Sequence, residues 1–281
     1  MRFSIVTPSF RSVRWLPLCI SSVADQNVEL EHIVQDSCSD DGTADLLRHE
    51  GRVRSFIEKD RGMYDAINRG LKRSTGEILG HLNCDEQYLP GALQAVSSYF
   101  STHPHIDVVF ADAIVVDERG YFVCYRKVVR PLENHVRVAH LPTFTSSTFF
   151  RRSLLDRGLL FDERLRCAGD AEWVCRLIGA GVRMGVLRRF TSVFTDTGSN
   201  LALSPQAIRE DHERKATAPV WAQKLDFAIV LQHRLRRLLA GAYRSRPIDF
   251  ALYTLDSPSR RVSRHVARPT SLWRSRLALE R

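Results

Sequence analysis

The sequence predicts an α/β fold, in which a mixed central sheet of Rossmann-like type is flanked by helices, followed by a mostly helical C-terminal extension. Short apolar runs alternate with helical patterns through the first half of the 281 residues. Short runs that are buried on both faces are typical of parallel strands under covering helices. After Asp112 a hairpin pattern appears, and it indicates antiparallel pairing in the same sheet. The hydrophobic share of 44% is ample for a buried core.

The alternation begins at the N-terminus. Five runs predict strands, each followed by a loop rich in Ser, Asp, Gly or Pro: Phe3–Thr7, His32–Gln35, Val53–Ile57, Ile78–Leu82 and Val108–Ala111. Four intervening segments predict helices: Leu16–Ala24, Thr43–Arg48, Met63–Ser74 and Gly91–Phe100. In the third helix Ile67 and Leu71 share one face while Arg69 points away, so we expect it to pack on the sheet.

The later elements are less regular. The segments Ile114–Val116 and Tyr121–Val128 flank Asp117-Glu118-Arg119-Gly120, which is a hairpin signal. Asp170–Gly179 predicts a helix and Val182–Leu187 a strand. The pattern after Ser204 is mostly helical. We therefore divide the chain into an α/β domain over residues 1–203 and a basic extension over residues 204–281.

The net charge of +9 is unevenly distributed along the chain. Residues 1–200 hold 25 basic and 25 acidic side chains, whereas residues 201–281 hold 16 and 7. Within residues 225–242 one broad stripe is apolar: Leu225, Ala228, Ile229, Leu235, Leu238, Leu239 and Ala242. Basic amphipathic helices often lie on anionic membrane surfaces, and a helix that packs on the domain with a solvated basic face is the alternative. Further basic residues would strengthen surface binding, with Trp273 among them: Arg260, Arg261, Arg264, Arg268, Arg274 and Arg276.

The cellular location is predicted from what the sequence lacks. The six cysteines stand far apart, with no C-x-x-C pair and no Cys/His cluster at zinc spacing. The first apolar stretch is too short for a signal peptide, and no run of uncharged apolar residues is long enough for a membrane span. We expect a cytoplasmic protein, placed peripherally on the inner face of the plasma membrane if the extension binds lipid.

Four polar loops follow the predicted strands: Thr7–Phe10, Asp36–Thr43, Glu58–Gly62 and Asn83–Glu86. Ligands of open α/β sheets bind at the carboxyl ends of the strands, and acids gathered there repel one another unless a cation or hydrogen-bond donors compensate them. Asp85 is the first choice for a divalent metal ligand, because neighbouring carboxylates supply hard oxygen ligands. The alternative is that Asp85 and Glu86 cap the following helix.

The remaining polar segments suit a nucleotide and a base. The backbone around Pro8 can lie against a nucleobase, and a buried Asp36 can accept from a base imide or a ribose hydroxyl. The alternative for Ser39–Thr43 is a turn with no ligand. Asp170 stands at the predicted start of a helix, where a carboxylate stays ionised and can act as a general base. An ordinary helix cap at Asp170 is the alternative there.

In their order and spacing these segments resemble the family 2 inverting glycosyltransferases of GT-A fold. The resemblance rests on Ser4–Phe10, Gln35–Thr43, Glu58–Glu86 and Thr148–Trp173. Its most specific part is DRGMYDAINRGL followed by TGEILGHLNCDE, which resembles a bacterial branch of the family. The resemblance implies a GT-A fold and an enzyme that moves one sugar from a nucleotide diphosphate sugar to an acceptor with inversion.

The resemblance also implies roles for individual residues. Asp170 is implied as the general base, Asp85 as the ligand of Mg²⁺ or Mn²⁺, and Glu86 as a secondary metal ligand. The implied donor nucleotide-binding residues are Thr7, Pro8, Asp36, Asp60, Arg61 and Asn83. The donor is by default a UDP-sugar, and the acceptor is a glycan or a lipid-linked molecule in bacterial cell-surface polysaccharide biosynthesis.

Some positions depart from the family pattern. Asn83 stands where the metal motif often begins with Asp, and Thr145-Ser146 where relatives often have His-Gln. These departures favour, as an alternative, a catalytically impaired nucleotide-sugar-binding protein. The Q-x-x-R-W motif of processive synthases is absent, which favours a single addition. A nucleic-acid binder is suggested only by the basic extension, and no RNA-binding motif accompanies it, so no nucleic acid is expected. A nucleotidyltransferase would need a Gly-rich phosphate loop near the first strand, which is absent.

Overall fold

The computed structural model describes residues 1–198 and 204–273. Strands and helices alternate through the first hundred residues: β1 (Phe3–Ser9), α1 (Leu16–Ala24), β2 (Leu30–Asp36), α2 (Thr43–His49), β3 (Arg54–Ile57), α3 (Met63–Arg73), β4 (Ile78–His81), β5 (Gln87–Tyr88) and α4 (Ala92–Thr102). The four predicted strands and four predicted helices of this region are confirmed, with ends displaced by two residues at most. The short strand β5 is the exception, since the sequence pattern did not predict it.

The next elements complete the sheet and carry the extension. They are β6 (Val108–Asp117), β7 (Phe122–Arg126), α5 (Glu133–Val138), β8 (Thr148–Arg151), α6 (Ser153–Asp156), α7 (Gly169–Gly179), β9 (Met184–Asp196), α8 (Pro205–Ala216), α9 (Val220–Lys224), α10 (Asp226–Leu239), β10 (Ile248–Thr254) and β11 (Ser257–Val266). A 3-10 turn, Thr145–Ser147, precedes β8. The predicted hairpin is confirmed as β6 and β7, and the two runs predicted on its first arm form one continuous strand.

The main sheet has the strand order β3-β2-β1-β4-β8-β6-β9-β5, and β7 pairs with the far end of β6. The strands β1 to β4 are mutually parallel, β8 runs antiparallel to both β4 and β6, and β6 is parallel to β9. The carboxyl ends of β1, β2, β3, β4, β6 and β9 therefore lie at one edge of the sheet. This edge is where ligands bind in open α/β folds.

Helices cover both faces of the sheet. In β1, Ile5 packs into a cluster with residues of α1 and α4, whereas Val6 packs into a cluster with residues of α3 and α7. Ile67 and Leu71 of α3 lie in the second cluster, so the predicted packing of this helix on the sheet is confirmed. A Cβ atom on Gly70 would lie 2.4 Å from Val6, so only glycine permits α3 to cross β1 this closely.

The extension is helical from α8 to α10, as predicted, but it continues into an antiparallel hairpin of β10 and β11 that the sequence did not predict. The strand β11 is largely polar and half-exposed, so it lacks the apolar run from which a strand is predicted. The side chain of Gln87 pairs with the backbone of Tyr253 at 2.9 and 2.8 Å, and this contact fixes β10 against β5. The boundary between residues 203 and 204 stays a prediction.

Two of the arginines predicted for membrane contact have structural partners instead. Arg261 pairs with Asp25 at 2.6 Å and donates to the Tyr88 carbonyl at 3.0 Å. Arg264 lies over the ring of Tyr121. Arg274 and Arg276 lie outside the described residues. Among the residues that are described, no helix combines the length and apolar character needed to cross a bilayer.

Candidate functional site

Asp36 connects the first two loops at the carboxyl edge of the sheet. It ends β2 and is fully buried. Its carboxylate accepts from the Ser9 hydroxyl at 2.9 Å, and from the backbone and the hydroxyl of Ser39 at 2.8 and 2.7 Å. Because Ser9 ends the neighbouring strand β1, Asp36 holds both loops in place. The segment Ser39–Thr43 that follows forms the turn described as the alternative to a ligand site. Asp41 accepts from the backbone and the hydroxyl of Thr43 at 3.1 and 2.6 Å.

In the first loop the backbone of Thr7 lies at the carboxyl edge of the sheet, whereas its hydroxyl points into the domain. The Thr7 hydroxyl is buried and lies 2.8 Å from the Nε2 atom of His32 and 3.6 Å from the sulfur of Cys19. The residue shares the face of Ile5, which packs under α1. The hydroxyl thus has partners inside the domain, and the role predicted for Thr7 at the donor nucleotide stays a prediction that would involve its backbone. The Pro8 carbonyl accepts from the Cys84 thiol at 3.3 Å, and this contact joins the first loop to the fourth.

The third loop contacts the segment that precedes α7. Asp60 accepts from the backbone of Gly62 at 2.9 Å. Arg61 is 70% exposed and pairs with Asp65 at 3.4 Å and with Glu163. Gly62 has φ +124°, and a Cβ atom there would lie 2.1 Å from the Arg166 guanidinium. The positive φ strains any residue other than glycine, and the Arg166 side chain lies against this loop, next to the polypeptide that leads to Asp170.

The fourth loop concentrates carboxylates after β4. Glu86 is buried, and its Oε2 atom accepts from the backbone of Asn83 at 2.9 Å. Burial raises the pKa of Glu86 to about 8, and the charges of Asp85 and Asp170 add to this effect. Burial also raises the pKa of Asp85, and a hydrogen bond from the residue's own backbone N–H opposes this shift. The Oδ1 atom of Asn83 is buried without a partner in the same part of the chain.

These groups fit a divalent cation. The carboxylate of Asp85 and the orphaned Oδ1 atom of Asn83 are hard oxygen donors, the type that Mg²⁺ and Mn²⁺ prefer. The capping alternative for Asp85 and Glu86 is wrong, because α4 begins after Gly91 and no side chain caps it. The strand β5 lies between the acids and this helix.

Asp170 lies in the first turn of α7. Its carboxylate accepts from the backbone of Ala171 at 2.8 Å, and its own N–H donates to the Tyr64 hydroxyl at 3.2 Å. Burial raises the pKa of Asp170, although the backbone N–H groups oppose the shift. A Cβ atom on Gly169 would lie 2.6 Å from the Tyr64 ring, so glycine is required for this approach. The cap residue of α7 is Ala168, so the alternative of an ordinary cap at Asp170 is wrong.

Asp170 and the fourth loop share one electrostatic environment. The charge of Asp170 contributes to the raised pKa of Glu86, so the two carboxylates lie near enough to repel each other. The hydroxyl of Ser146 is also bonded to Glu86, so the segment Thr145-Ser146 that departs from the family pattern faces these acids. The Thr195 hydroxyl donates to the Asp85 carbonyl at 2.5 Å and ties the end of β9 to the same loop.

Glu210 of α8 is a site residue that sequence reasoning missed. Its buried carboxylate accepts from the backbones of Arg166, Cys167 and Ala168, each at 2.8 Å. Burial opposes ionisation, but these bonds together with one from Gln206 hold the pKa of Glu210 below its ordinary value. No local motif indicates this role, because the acceptor lies 44 residues from the first donor. A residue of the extension thus fixes the loop that carries Asp170.

Replacement of Glu210 by Gln is expected to lower the free energy of unfolding by about 1–3 kcal/mol, since an ionised acceptor is lost from several buried N–H donors. Urea denaturation measures the change. The lowered pKa means that the carboxylate stabilises the fold fully above the ordinary value of 4.5 and loses this effect as the pH falls below it. The difference between parent and variant should therefore shrink in acid. Glu213→Gln, exposed on the same helix, is the control, and equal stability of the two variants would contradict the assignment.

The sequence model of "Glycosyl transferase family 2" matches residues 4–159, which is more than half of the chain. The chain belongs to glycosyl transferase family 2. The match contains the four loops at the carboxyl edge and ends before Asp170. The family resemblance noted in the sequence is therefore confirmed.

Among curated relatives in this family is a PGL/p-HBAD biosynthesis glycosyltransferase of Mycobacterium bovis. It is 32% identical over 120 residues, which are 40% of this chain and 47% of that protein. The poly(ribitol-phosphate) beta-N-acetylglucosaminyltransferase TarS of Staphylococcus aureus is 24% identical over 196 residues, which are 66% of this chain and 34% of that protein. The chain thus spans less than half the length of these family 2 relatives.

Solved structures confirm the predicted GT-A fold of this family 2 chain. S. aureus TarS 1-349 in complex with UDP-GlcNAc superimposes with a TM-score of 0.59 at 19% identity, over 85% of this chain and 73% of that chain. The mannosyltransferase PcManGT from Pyrobaculum calidifontis, in complex with GDP-Man and Mn²⁺, gives a TM-score of 0.54 at 19% identity, over 85% and 78%.

Proposed function

We propose that this chain is a metal-dependent inverting glycosyltransferase. It transfers a single sugar from a nucleotide diphosphate sugar, with UDP as the nucleotide, to a glycan or lipid-linked acceptor in bacterial cell-surface polysaccharide biosynthesis. The observation that carries the proposal is the group of acids at the ligand-binding edge of the sheet, where Asp170 lies near Glu86 and the Oδ1 atom of Asn83 is buried without a partner in the described part of the chain. Family membership, a relative that transfers N-acetylglucosamine and a structural neighbour in complex with UDP-GlcNAc support it.

The donor nucleotide would bind between the loops after β1, β2 and β3. The Pro8 backbone would lie against the base, and Asp36 and Asp60 would accept from its imide or from the ribose. Asp36 already accepts three hydrogen bonds, and a carboxylate has about four acceptor sites, so one remains for a ligand. Arg61 is exposed enough to turn toward a phosphate, at the expense of its surface ion pairs. Such pairs contribute little to stability.

The diphosphate would lie over the Asn83–Glu86 loop. Asp85 would hold Mg²⁺ or Mn²⁺ with the Oδ1 atom of Asn83, and Glu86 would be the secondary ligand. The metal supplies neutralisation of the charge that develops on the leaving diphosphate. Glu86 also keeps the loop closed through its bond to the Asn83 backbone, so it supports the geometry of the site in either role.

Asp170 would act as the general base. It removes the proton from the acceptor hydroxyl while that oxygen forms a bond to the anomeric carbon of the donor sugar. The bond from this carbon to the diphosphate breaks on the opposite face, and one displacement inverts the configuration, as it does in inverting glycosidases. Tyr64 and Glu210 hold the Asp170 loop in position for this step through their hydrogen bonds to its backbone.

A ligand screen tests the proposed function. Thermal unfolding is recorded with UDP, GDP and dTDP in the presence of Mn²⁺, and release of UDP is then assayed from UDP-sugars. We expect UDP to raise the melting temperature most, because a ligand that binds only the native state stabilises it. A stabilised protein that releases no UDP from any donor would support the catalytically impaired alternative. No response to any nucleotide would refute a donor site.

The helix α10 presents one apolar face to solvent and another to the domain. Ile229 packs in a cluster with Val138 and Ala222, as expected for a helix that packs on the α/β domain. The opposite face carries side chains that are exposed, with Phe227 at 76% and Leu235 at 50%. Leu231 and Leu238 share this face, since positions four or seven apart stack along a helix. The apolar stripe predicted for residues 225–242 is thus divided between a face that packs on the domain and a face that is exposed to solvent.

We infer that the exposed face of α10 lies on an anionic membrane, which would place the site near a lipid-linked acceptor. Exposed basic side chains lie on α10 and in the segments directly before and after it, and they suit anionic headgroups: Lys224, Arg234, Arg244 and Arg246. The full chain is expected to float with phosphatidylglycerol vesicles and much less with phosphatidylcholine vesicles. Leu231→Glu combined with Leu235→Glu should abolish flotation, because both side chains are exposed and their loss leaves the core intact.

Ile208→Glu is the matched control for flotation, since this residue is equally exposed on α8. Undiminished flotation of the double variant would refute the membrane assignment. A double variant that instead changes from dimer to monomer by light scattering would show that a second copy of the chain covers this face.

A further inference from the structure

Three basic side chains line one cavity between β7 and α10: Arg126, Lys127 and Arg237. Arg126 ends β7 and Lys127 follows it directly, whereas Arg237 lies on α10. The other residues of the lining are not acidic: Val129, Pro142 and His233. Three positive charges therefore meet in a cavity to which no carboxylate contributes among the residues that line it.

The three charges have no carboxylate partner elsewhere in the described part of the chain. The side chain of Arg126 makes neither a hydrogen bond nor an ion pair within residues 1–198 and 204–273. The Lys127 ammonium donates to the Arg244 carbonyl at 2.8 Å, and the Arg237 guanidinium lies 4.9 Å from the centre of the Tyr243 ring. Neither contact neutralises a charge.

Arg126 and Arg237 also repel each other. Burial lowers the pKa of Arg126 below its ordinary value, and the charge of Arg237 acts in the same direction. A guanidinium stays charged in proteins, so it cannot relieve this repulsion by losing a proton. Like charges held together and partly withdrawn from water cost folding free energy unless an anion compensates them.

A buried nitrogen of the lining residue His233 lacks a partner as well. His233 is 5% exposed, and its Nε2 atom has no hydrogen bond to any residue that the structure describes. Its ring lies against His135 and His140, with centroid distances of 3.7 and 6.0 Å. Buried polar atoms are almost always satisfied. In the tautomer that carries the proton on Nε2, this atom would donate to a ligand that accepts hydrogen bonds.

Phosphate is the anion that suits these donors. Two guanidinium groups and one ammonium supply N–H groups to several oxygens at once, and arginine pairs with phosphate in a bidentate geometry. As they stand, the side chains leave no room for a phosphate group inside the cavity. The anion therefore binds at its mouth, toward which Lys127 and Arg237 can turn, since both are half-buried and neither is held by a carboxylate.

We propose a binding site for one phosphate group, formed by four residues that are not assigned to sugar transfer: Arg126, Lys127, His233 and Arg237. The phosphate is that of an anionic lipid headgroup or free phosphate. The helix α10 supplies two of the four residues and also carries the exposed apolar face, which favours the lipid. This choice of source rests on the proposed function, whereas the site itself does not. A headgroup held here would fix the orientation of the α/β domain on the membrane.

Thermal unfolding tests the site with inorganic phosphate as the probe. The full chain is freed of metal with EDTA and heated without nucleotide, in sodium phosphate of increasing concentration or in sodium chloride of equal ionic strength. We expect phosphate to raise the melting temperature above the chloride value, because a ligand of the native state stabilises it. Arg126→Gln and Arg237→Gln should each weaken phosphate binding at least about tenfold, since each removes a hydrogen-bonding charge.

Arg209→Gln is the matched control, because it removes the same charge from an exposed position on α8. Exclusion of phosphate from the protein surface stabilises all variants alike, so the difference between variants measures binding. In chloride, Arg126→Gln should be no less stable than the parent, since it relieves the repulsion by Arg237. Equal phosphate shifts in the parent, Arg126→Gln and Arg237→Gln would overturn the proposal.

Flotation distinguishes the two sources of phosphate. We measure the fraction of phosphatidylglycerol in phosphatidylcholine vesicles at which half of the protein floats. A higher fraction for Arg126→Gln than for Arg209→Gln would identify the lipid headgroup as the ligand. Equal fractions, together with a lost phosphate shift in Arg126→Gln, would identify free phosphate. Neither measurement depends on sugar transfer, so a failure of this site is distinguishable from a failure of the proposed function.

Discussion

Asp170→Asn is expected to lower kcat by roughly 10²–10⁴-fold while donor affinity stays unchanged, which is the loss that a positioned base produces. Asparagine has the shape of aspartate, and its Oδ1 atom can still accept from the Ala171 backbone at 2.8 Å, so the first turn of α7 is preserved. What is lost is the ability to accept a proton from the acceptor hydroxyl. Single-turnover rates with a saturating UDP-sugar measure the first quantity, and thermal shifts with UDP and Mn²⁺ measure the second.

Glu172→Gln is the matched control for this variant. Glu172 stands two positions later on the same turn and pairs with Arg176 at 2.8 Å, so it is acidic and close but has a partner of its own. We expect its rate to stay within a few-fold of the parent. An Asp170→Asn rate equal to that of Glu172→Gln would remove Asp170 from the mechanism.

The pH profile provides an independent check on Asp170. Burial raises its pKa above the ordinary value of 3.8, so the base becomes protonated at a higher pH than a solvated aspartate would. The rate of the parent should therefore fall as the pH is lowered through this raised pKa. The residual rate of Asp170→Asn should lack that decline, because no carboxylate remains at this position to titrate.

The helices and strands of the α/β domain were predictable because the pattern of residues adjacent in the sequence determines each of them. The buried strands β1, β2 and β4 each contain a short group of apolar residues followed by a polar loop, and α3 shows its core face through Ile67 and Leu71. The family pattern then located the carboxylate loops and Asp170. Neither signal gives the direction of one side chain, and the Thr7 hydroxyl lies under α1 although its backbone is at the predicted edge.

The unpredicted features depend on residues that are distant in sequence. Glu210 acts on the loop before Asp170 from another helix, and His233 joins two histidines that precede it by a large part of the domain. The apolar face of β10 packs on Leu89 and Ile114, whereas β11 is largely polar and forms a strand by pairing with β10. Composition and periodicity describe neighbours along the chain, so they carry no information on these contacts.

Asp85→Asn is expected to reduce metal-dependent turnover by roughly 10²–10³-fold, because the several kcal/mol that a bound metal contributes to the leaving diphosphate correspond to that factor. Burial raises the pKa of Asp85, and the hydrogen bond that opposes this shift comes from the residue's own backbone N–H. Its replacement therefore removes no contact with another described residue and relieves a charge that burial disfavours. The free energy of unfolding should be unchanged or higher, measured by urea denaturation without metal.

This combination of lost activity and retained stability separates a ligand-binding carboxylate from a structural one. A carboxylate that stabilises the fold loses stability when it is neutralised, as expected for Glu210 with its three backbone donors. Asp156→Asn, exposed on α6, is the control that should change neither quantity. Full Mn²⁺-dependent turnover in Asp85→Asn, or a loss of stability comparable to that of Glu210→Gln, would show that Asp85 is not the metal ligand.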